Sequence, residues 1–242
     1  IEAETGRRVA SSVVVGNLLE AVIERAARAD LLVVGARGQH PVRDFAIGTV
    51  YSKSEIVIGS IQDLSGPIAA FGKSSRNGMQ LYAEEINEQG GVNGRKIKLL
   101  VEDSKYDPRN AVLAAQKLVN QDKIFAMVGH IGTAQNMAAM PVQFQKNVIN
   151  FFPVTAAREM YDPFHKLKYS FAATYYDQMK IMVPKLAKEK GAKKICTMYQ
   201  DTDFGKEIVV GAEIQTKQLG IKIVEMAANK PTDQDFTASI TK

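Results

Sequence analysis

The chain has a single cysteine, Cys196, so no internal disulfide can form and no thiolate metal cluster can assemble within it. Its three histidines, His40, His130 and His165, lie far apart and none has a partner four positions on. Metal-ligand spacing is therefore absent, and no metal is expected. No apolar run approaches the roughly 20 residues that a membrane-spanning helix requires. Ile1 with Glu2 and Glu4 offers neither the basic n-region nor the apolar h-region of an export signal, which leaves the protein's address open. A G-x-S-x-G nucleophile elbow is missing, and Asp103, Asp107, Asp201 and Asp203 fit loop and cap positions. Nothing assembles into a catalytic site, so the chain is not expected to be an enzyme. The last shortage is local: residues 1–52 contain no lysine.

Against these absences, the chain is 45% hydrophobic and 24% charged, enough apolar content for one or two cores and not the balance of a disordered chain. Residues 1–52 carry six Arg and six acids, whereas residues 53–242 carry 21 Lys against four Arg. So abrupt a change of preferred cation points to two origins, joined near Tyr51-Ser52-Lys53. The net charge of +5 is spread along the sequence instead of forming a patch, which reads as a solvated surface and gives no nucleic-acid partner.

In the first part, Val9–Val15 is rich in β-branched residues and reads as a strand, ended by Gly16-Asn17, with Asn17 as helix N-cap and Glu20 three positions on. Leu18, Leu19, Val22, Ile23 and Ala26 recur at helical spacing, and Asp30–Gly35 is the continuously apolar strand of a buried parallel sheet. This is a βαβ unit. Gly35-Ala36-Arg37-Gly38, nine further residues and Gly48-Thr49 follow it. Glycines where a strand meets a helix let backbone N–H groups approach a phosphate, and a hydroxyl at the next helix start adds a donor. The spacing G-x2-G-x9-G-S/T after "ADLLVVG" resembles the ATP-binding signature of universal stress proteins, over residues 8–50. That resemblance implies ATP as a ligand, with Gly35, Gly38, Gly48 and Thr49 holding ribose and phosphates. The family's first strand, with its acidic residue near the adenine, has no counterpart here. The alternative reading is that these glycines only make turns.

From residue 53 the pattern is again α/β. Strands are expected at 55–61, 96–101, 124–128 and 148–152, alternating with helices from Ala70 to Glu88, from Pro108 to near Asn120 and from about Ala134. Gly90-Gly91 stops the first helix, and Asp107-Pro108 gives N-cap and N1 for the second. A second round starts at Tyr169–Ala173. It continues with a helix from Asp177 to Lys190 closed by Gly191, a strand at 194–199, a helix from Gly205 to Leu219 closed by Gly220, and a strand at 221–226. A last helix is capped by Thr232 with Asp235 at N3. The fold class is therefore doubly wound parallel α/β, divided as 1–52, a first lobe at 53–165 and part of a second at 166–242.

The stretches "IVIGSIQDLSGPIAAFG", "INEQGGVNGRKIKLLVEDSKYDP", "AMVGHIGTAQN", "NFFPVTAA" and "YQDTDFGKE" together resemble the type I periplasmic binding proteins of the Leu/Ile/Val-binding branch, over residues 54–242. That resemblance implies a periplasmic solute-binding protein that closes two lobes on a small amino acid or related carboxylate and delivers it to the membrane subunits of an ABC importer. It also implies a second lobe short of its remaining strands, with binding impaired, a homodimer or strand-swapped oligomer being open. Ligand positions carry over as Ile131, Gly132 and Thr133 before a helix, whose free N–H groups suit a carboxylate. Val154, Thr155 and Ala156 form the second loop, suited to an ammonium, where the family often has Thr in place of Ala156. Phe71, Tyr175 and Phe204 close over the ligand. Thr133 as a plain N-cap, and Phe71 and Phe204 as core residues, are the alternatives. Three functions thus stand open: a solute-binding module, a nucleotide-responsive module, and a recombined scaffold without activity in which the strand at Ile56 pairs beside the strand at Leu32.

Two decoys are set aside. Gly72-Lys73-Ser74 has the look of a P-loop, but the position five residues before Gly72 that requires Gly is Pro67, which has no N–H to offer a phosphate. His130, beside the ligand loop, is expected to be a hydrogen-bonded structural imidazole and not a general base.

Overall fold

The computed structural model describes residues 54–241. Strand β1 (Glu55–Gln62), a β-branched run, is followed by helix α1 (Ala69–Glu88). Then come β2 (Lys96–Asp103), α2 (Pro108–Gln116), β3 (Ala126–Val128), α3 (Thr133–Gln145), β4 (Ile149–Phe151) and β5 (Lys168–Tyr169). The five strands make one parallel sheet in the order β2-β1-β3-β4-β5. The order turns back between β1 and β3, and in open α/β sheets the crevice beyond the strand C-termini at such a reversal is where ligands sit.

Local chemistry explains the element ends. Asp107 caps α2 by accepting from the Asn110 N–H at 2.9 Å, with Pro108 at N1. After Gln116 the helix widens into a single π turn, Lys117–Gln121, which carries Leu118 and Val119 into the core. Asn87 brackets the start of β2, donating to the Ile97 carbonyl at 2.8 Å and accepting from the Ile97 N–H at 2.7 Å. Between them Asn93-Gly94, both at positive φ, closes the tight turn that joins Val92 to Arg95.

Beyond β5 the chain forms α4 (Tyr175–Lys190), β6 (Lys194–Gln200), α5 (Asp203–Leu219), β7 (Lys222–Asn229) and α6 (Thr237–Ile240), with β6 and β7 paired in a separate two-stranded parallel sheet. Thr174 caps α4, its hydroxyl accepting from the Asp177 N–H at 2.9 Å and meeting the Asp177 carboxylate at 2.8 Å. Gly191 and Gly220 close α4 and α5, as expected.

Three expectations change, and one exclusion is reinforced. The strand at Tyr169–Ala173 does not open the second lobe: it is Lys168–Tyr169 and pairs with β4 at the edge of the first sheet, because Asn150 and Phe152 donate to Leu167 and Tyr169. Thr232 caps nothing. Asp233 and Asp235 instead accept from Lys230 and Thr237, making turns that delay the last helix to Thr237. The strand at Ile56 does not offer an edge to another strand, since β1 pairs along its whole length with β2 and on its other side with β3. Gly72 lies inside α1, where a Cβ would stand 1.9 Å from the Asp63 carbonyl, so its role is close packing and the P-loop is excluded sterically as well. The βαβ unit with Gly35, Gly38, Gly48 and Thr49 lies outside the described residues.

The core of the first sheet gathers Ile61, Ala111, Ala115, Leu118, Ile124, Met127 and Ala139. Leu118 is fully buried among them, so Leu118→Ala is expected to destabilise the chain by about 2–5 kcal/mol, measured as a lower urea midpoint at unchanged slope.

Candidate functional site

Past the last residue of β3 the backbone stays tied to its neighbours. Ile131 donates to the Ile61 carbonyl at 3.0 Å, Val154 donates to the His130 carbonyl at 2.9 Å, and Gly132 donates to the Val154 carbonyl at 3.3 Å. Ile131 and Val154 thereby act through the main chain, while the Ile131 side chain is buried. Asn136 reinforces the same loop, donating to the carbonyls of His130 and Gly132 at 2.8 and 2.7 Å and accepting from Asn150 at 3.0 Å. Gly132 has φ 96°, a conformation that glycine adopts without steric cost, and it gives α3 no side-chain cap. The first turn of α3, at Thr133, Ala134 and Gln135, lines a cleft of about 150 Å³ shared with Tyr106, Pro108, Thr202, Phe204 and Pro231. A helix N-terminus with uncapped N–H groups favours an anion.

From Thr133 on the wall of this cleft, three hydroxyls follow one another. The Thr133 and Thr155 hydroxyls are 2.7 Å apart, and the Thr155 and Tyr175 hydroxyls 3.5 Å apart. Thr155 also accepts from the Ala157 N–H at 3.3 Å, which fixes its rotamer. The chain begins on α3 beside the first sheet and ends on α4 beside the second. Phe204, on α5, stands edge-on to Tyr175 with ring centroids 4.9 Å apart. Ala156 contributes its carbonyl, which the Tyr175 N–H already occupies at 2.9 Å, so in this arrangement it anchors α4. Phe71 is 60% exposed in the first turn of α1 and does not line this cleft. The structure therefore brings together Gly132, Thr133, Thr155, Tyr175 and Phe204 and leaves Phe71 apart.

Sequence reasoning missed Tyr106 and Gln135, although both lie in quoted motifs. Gln135 donates to the Tyr106 carbonyl at 2.6 Å, and Lys105 and Tyr106 both hold positive φ, 52° and 58°, at a cost of about 1–3 kcal/mol each for non-glycine residues. Glu207 on α5 was missed as well. It is buried and accepts from the Arg158 N–H at 3.1 Å and from Arg158 Nε at 3.2 Å. Burial, with Glu159 adding to it, pushes its carboxyl above the usual range despite Arg158.

Asp63 and Asp103 build loops, as expected for Asp103. Asp63 accepts from the N–H groups of Gly66 and Ile68, and Asp103 from Leu64, Ser65 and Lys105. His130 departs from expectation: it is fully buried and neither ring nitrogen has a partner among the described residues. Burial drives its pKa down to about 3, so it is a neutral imidazole. Among the described residues no group of three or more His, Cys, Asp or Glu could hold a metal, and no helix is long and apolar enough to cross a membrane.

A family model described as "periplasmic binding protein" matches residues 55–242. The chain belongs to the periplasmic binding protein family. It is 27% identical to an amino acid binding protein of Pseudomonas aeruginosa, over 80% of this chain and 52% of that one. Among solved structures it is similar to a substrate-binding periplasmic protein from Ralstonia solanacearum, with a TM-score of 0.73 and 26% identity over 78% of this chain and 53% of that one. It is also similar to a branched-chain amino acid transporter substrate-binding protein from Streptococcus pneumoniae in complex with isoleucine, with a TM-score of 0.67 and 27% identity over 78% of this chain and 53% of that one. This binding protein thus spans about half the length of the relatives it matches. Those relatives are named for binding and not for catalysis, in line with the non-enzymatic expectation.

The depressed His130 pKa gives a signed prediction. Unfolding frees a group that binds a proton below pH 6.5, so stability is full above that value and falls as pH drops towards 3, by up to about 1.4 kcal/mol per pH unit. Urea midpoints measured from pH 7 to pH 4 check the slope, and the His130 ring protons should show no titration shift in the folded protein by NMR.

Proposed function

We propose that residues 54–242 are the ligand-holding part of a periplasmic solute-binding protein, which takes a small amino acid or related carboxylate between its two lobes and presents it to the membrane subunits of an ABC-type importer. The observation that carries this reading is the hydroxyl chain from Thr133 through Thr155 to Tyr175 at the uncapped start of α3. A carboxylate seated there gains two hydroxyl donors and the positive end of a helix, and the third hydroxyl comes from the other side of the cleft. Phe204 and Tyr175 supply the apolar cover. Val154 and Ala156 keep the loop in register for this role, and Phe71 joins the cover when the lobes close. The amino acid and isoleucine relatives support the ligand class. In this reading the first lobe runs from residue 53 through β5 and the second starts at α4. Calorimetry with leucine, isoleucine, valine, small amides and aromatic acids tests it. Binding of at least one is expected, with Thr133→Val weakening it by about tenfold or more, the loss of one hydrogen bond to a charged group. No heat with any of them would remove the reading.

The glycine spacing supports a second site. Residues 1–52 are then a universal-stress-protein-like fragment that holds ATP through Gly35, Gly38, Gly48 and Thr49, and the change of cation at residue 52 is the join of a chimera. ATP binding by the whole chain that is lost in Gly38→Val is the expected result, and an unmutated chain that binds no ATP ends the idea.

A further inference from the structure

We propose that Tyr106 sets the size and shape of the ligand this cleft accepts, favouring compact branched-chain carboxylates over long or planar ones, and that Gln135 is the residue that positions it. The inference rests on the binding reading above and deepens it. Tyr106 stands apart from the hydroxyl chain, yet its side chain lines the same cleft as Thr133 and Phe204. A ligand whose carboxylate is held at Thr133 therefore extends its other end into a space bounded by that ring.

The backbone that carries the ring is held from three directions. The N–H groups of Lys105 and Tyr106 are taken by the Asp103 carboxylate at 2.9 Å and the Ser104 hydroxyl at 3.3 Å, which fixes two successive residues in the left-handed region. Gln135, itself buried, grips the Tyr106 carbonyl at 2.6 Å. Gly132 completes the unit: a Cβ there would stand 2.2 Å from Gln135 Oε1 and 3.1 Å from Tyr106 Cε2. The turn that starts α3, the amide that grips the neighbouring loop and the aromatic wall are thus one packed assembly. A wall whose backbone cannot retreat discriminates by size, because a ligand too long for the cleft must turn the ring out of its packed position or break one of these bonds to enter.

Chemistry at the tip of the ring agrees. Burial, and then the fields of Tyr175 and Asp63, hold the Tyr106 hydroxyl above its ordinary pKa. It stays a neutral phenol, a wall that presents no charge to an apolar tail. Pro108 and Pro231 bound the remaining space with stiff apolar surface. The cleft of about 150 Å³ suits a compact branched tail.

The test is calorimetry on the whole chain with leucine, isoleucine and valine against phenylalanine, benzoate and octanoate, for the unmutated protein, Tyr106→Ala, Tyr106→Phe and Gln135→Leu. The readout is the ratio of affinities between the large and the compact ligands. Tyr106→Ala is expected to move that ratio by about tenfold or more towards the large ligands. Gln135→Leu, which keeps the volume and deletes the bond to the Tyr106 carbonyl, moves it the same way by less, and Tyr106→Phe leaves it within about twofold. A ratio unchanged in Tyr106→Ala, including a parallel loss for every ligand, overturns the inference while leaving the binding reading intact. If Tyr106→Ala does not fold, Tyr106→Leu carries the same comparison. An unmutated chain that binds none of the six overturns the binding reading and this inference with it.

Discussion

The site depends on three main-chain bonds that continue the parallel sheet past the end of its strands: Ile131 to Ile61, Val154 to His130 and Gly132 to Val154. They hold the β3–α3 and β4 loops side by side, next to the β1/β3 point where the strand order reverses. Without them Thr133 and Thr155 would belong to two independent loops, and a hydroxyl contact of 2.7 Å would be an accident. With them, the distance follows from sheet geometry. The same bonds use up the N–H of Gly132 and leave those of the following helical turn without a cap. A neutral, buried His130 lies in the middle of this stretch and brings no charge to it.

How far the sequence carried this can be seen residue by residue. The alternation of strand and helix was legible because it rests on local rules: Asp107-Pro108 at a helix start, Asn93-Gly94 in a turn, Gly191 and Gly220 at helix ends. Thr133, Thr155 and Phe204 were named as candidates because they lie in the motifs that carry the resemblance, and Tyr175 was added beside Phe204 as a further aromatic. Lys168–Tyr169 was not, because a two-residue edge strand has too little pattern, and its membership of the first sheet depends on partners in β4 that are distant in sequence. Thr232 offered a cap in pattern, but the neighbouring Asp233 and Asp235 bond to the backbone locally and compete with a helix start there. Tyr106 and Gln135 were missed for a related reason. Neither has a spacing signal, since the bond between them spans 29 residues and exists only once both loops are in place.

Six residues, Thr155–Tyr161 less its last, form the shortest route between the two sheets' machinery. Thr155 carries the central hydroxyl, the Ala156 carbonyl receives the first N–H of α4, and Arg158 holds Glu207 on α5. Arg158 also lies over the Tyr176 ring at 4.8 Å, adding a cation–π contact to the same junction. One short segment therefore anchors two helices of the second unit, α4 and α5, beside the hydroxyl of Thr133.

That arrangement has the proportions of a lever with its fulcrum at Tyr175. Helix α4 runs 16 residues from Tyr175, about 24 Å at 1.5 Å per residue. A rotation of about 10° about Tyr175 would carry the far end at Lys190 by about 4 Å over that length. A displacement too small to register among the three hydroxyls would thus be one of about 4 Å at the far end of the helix.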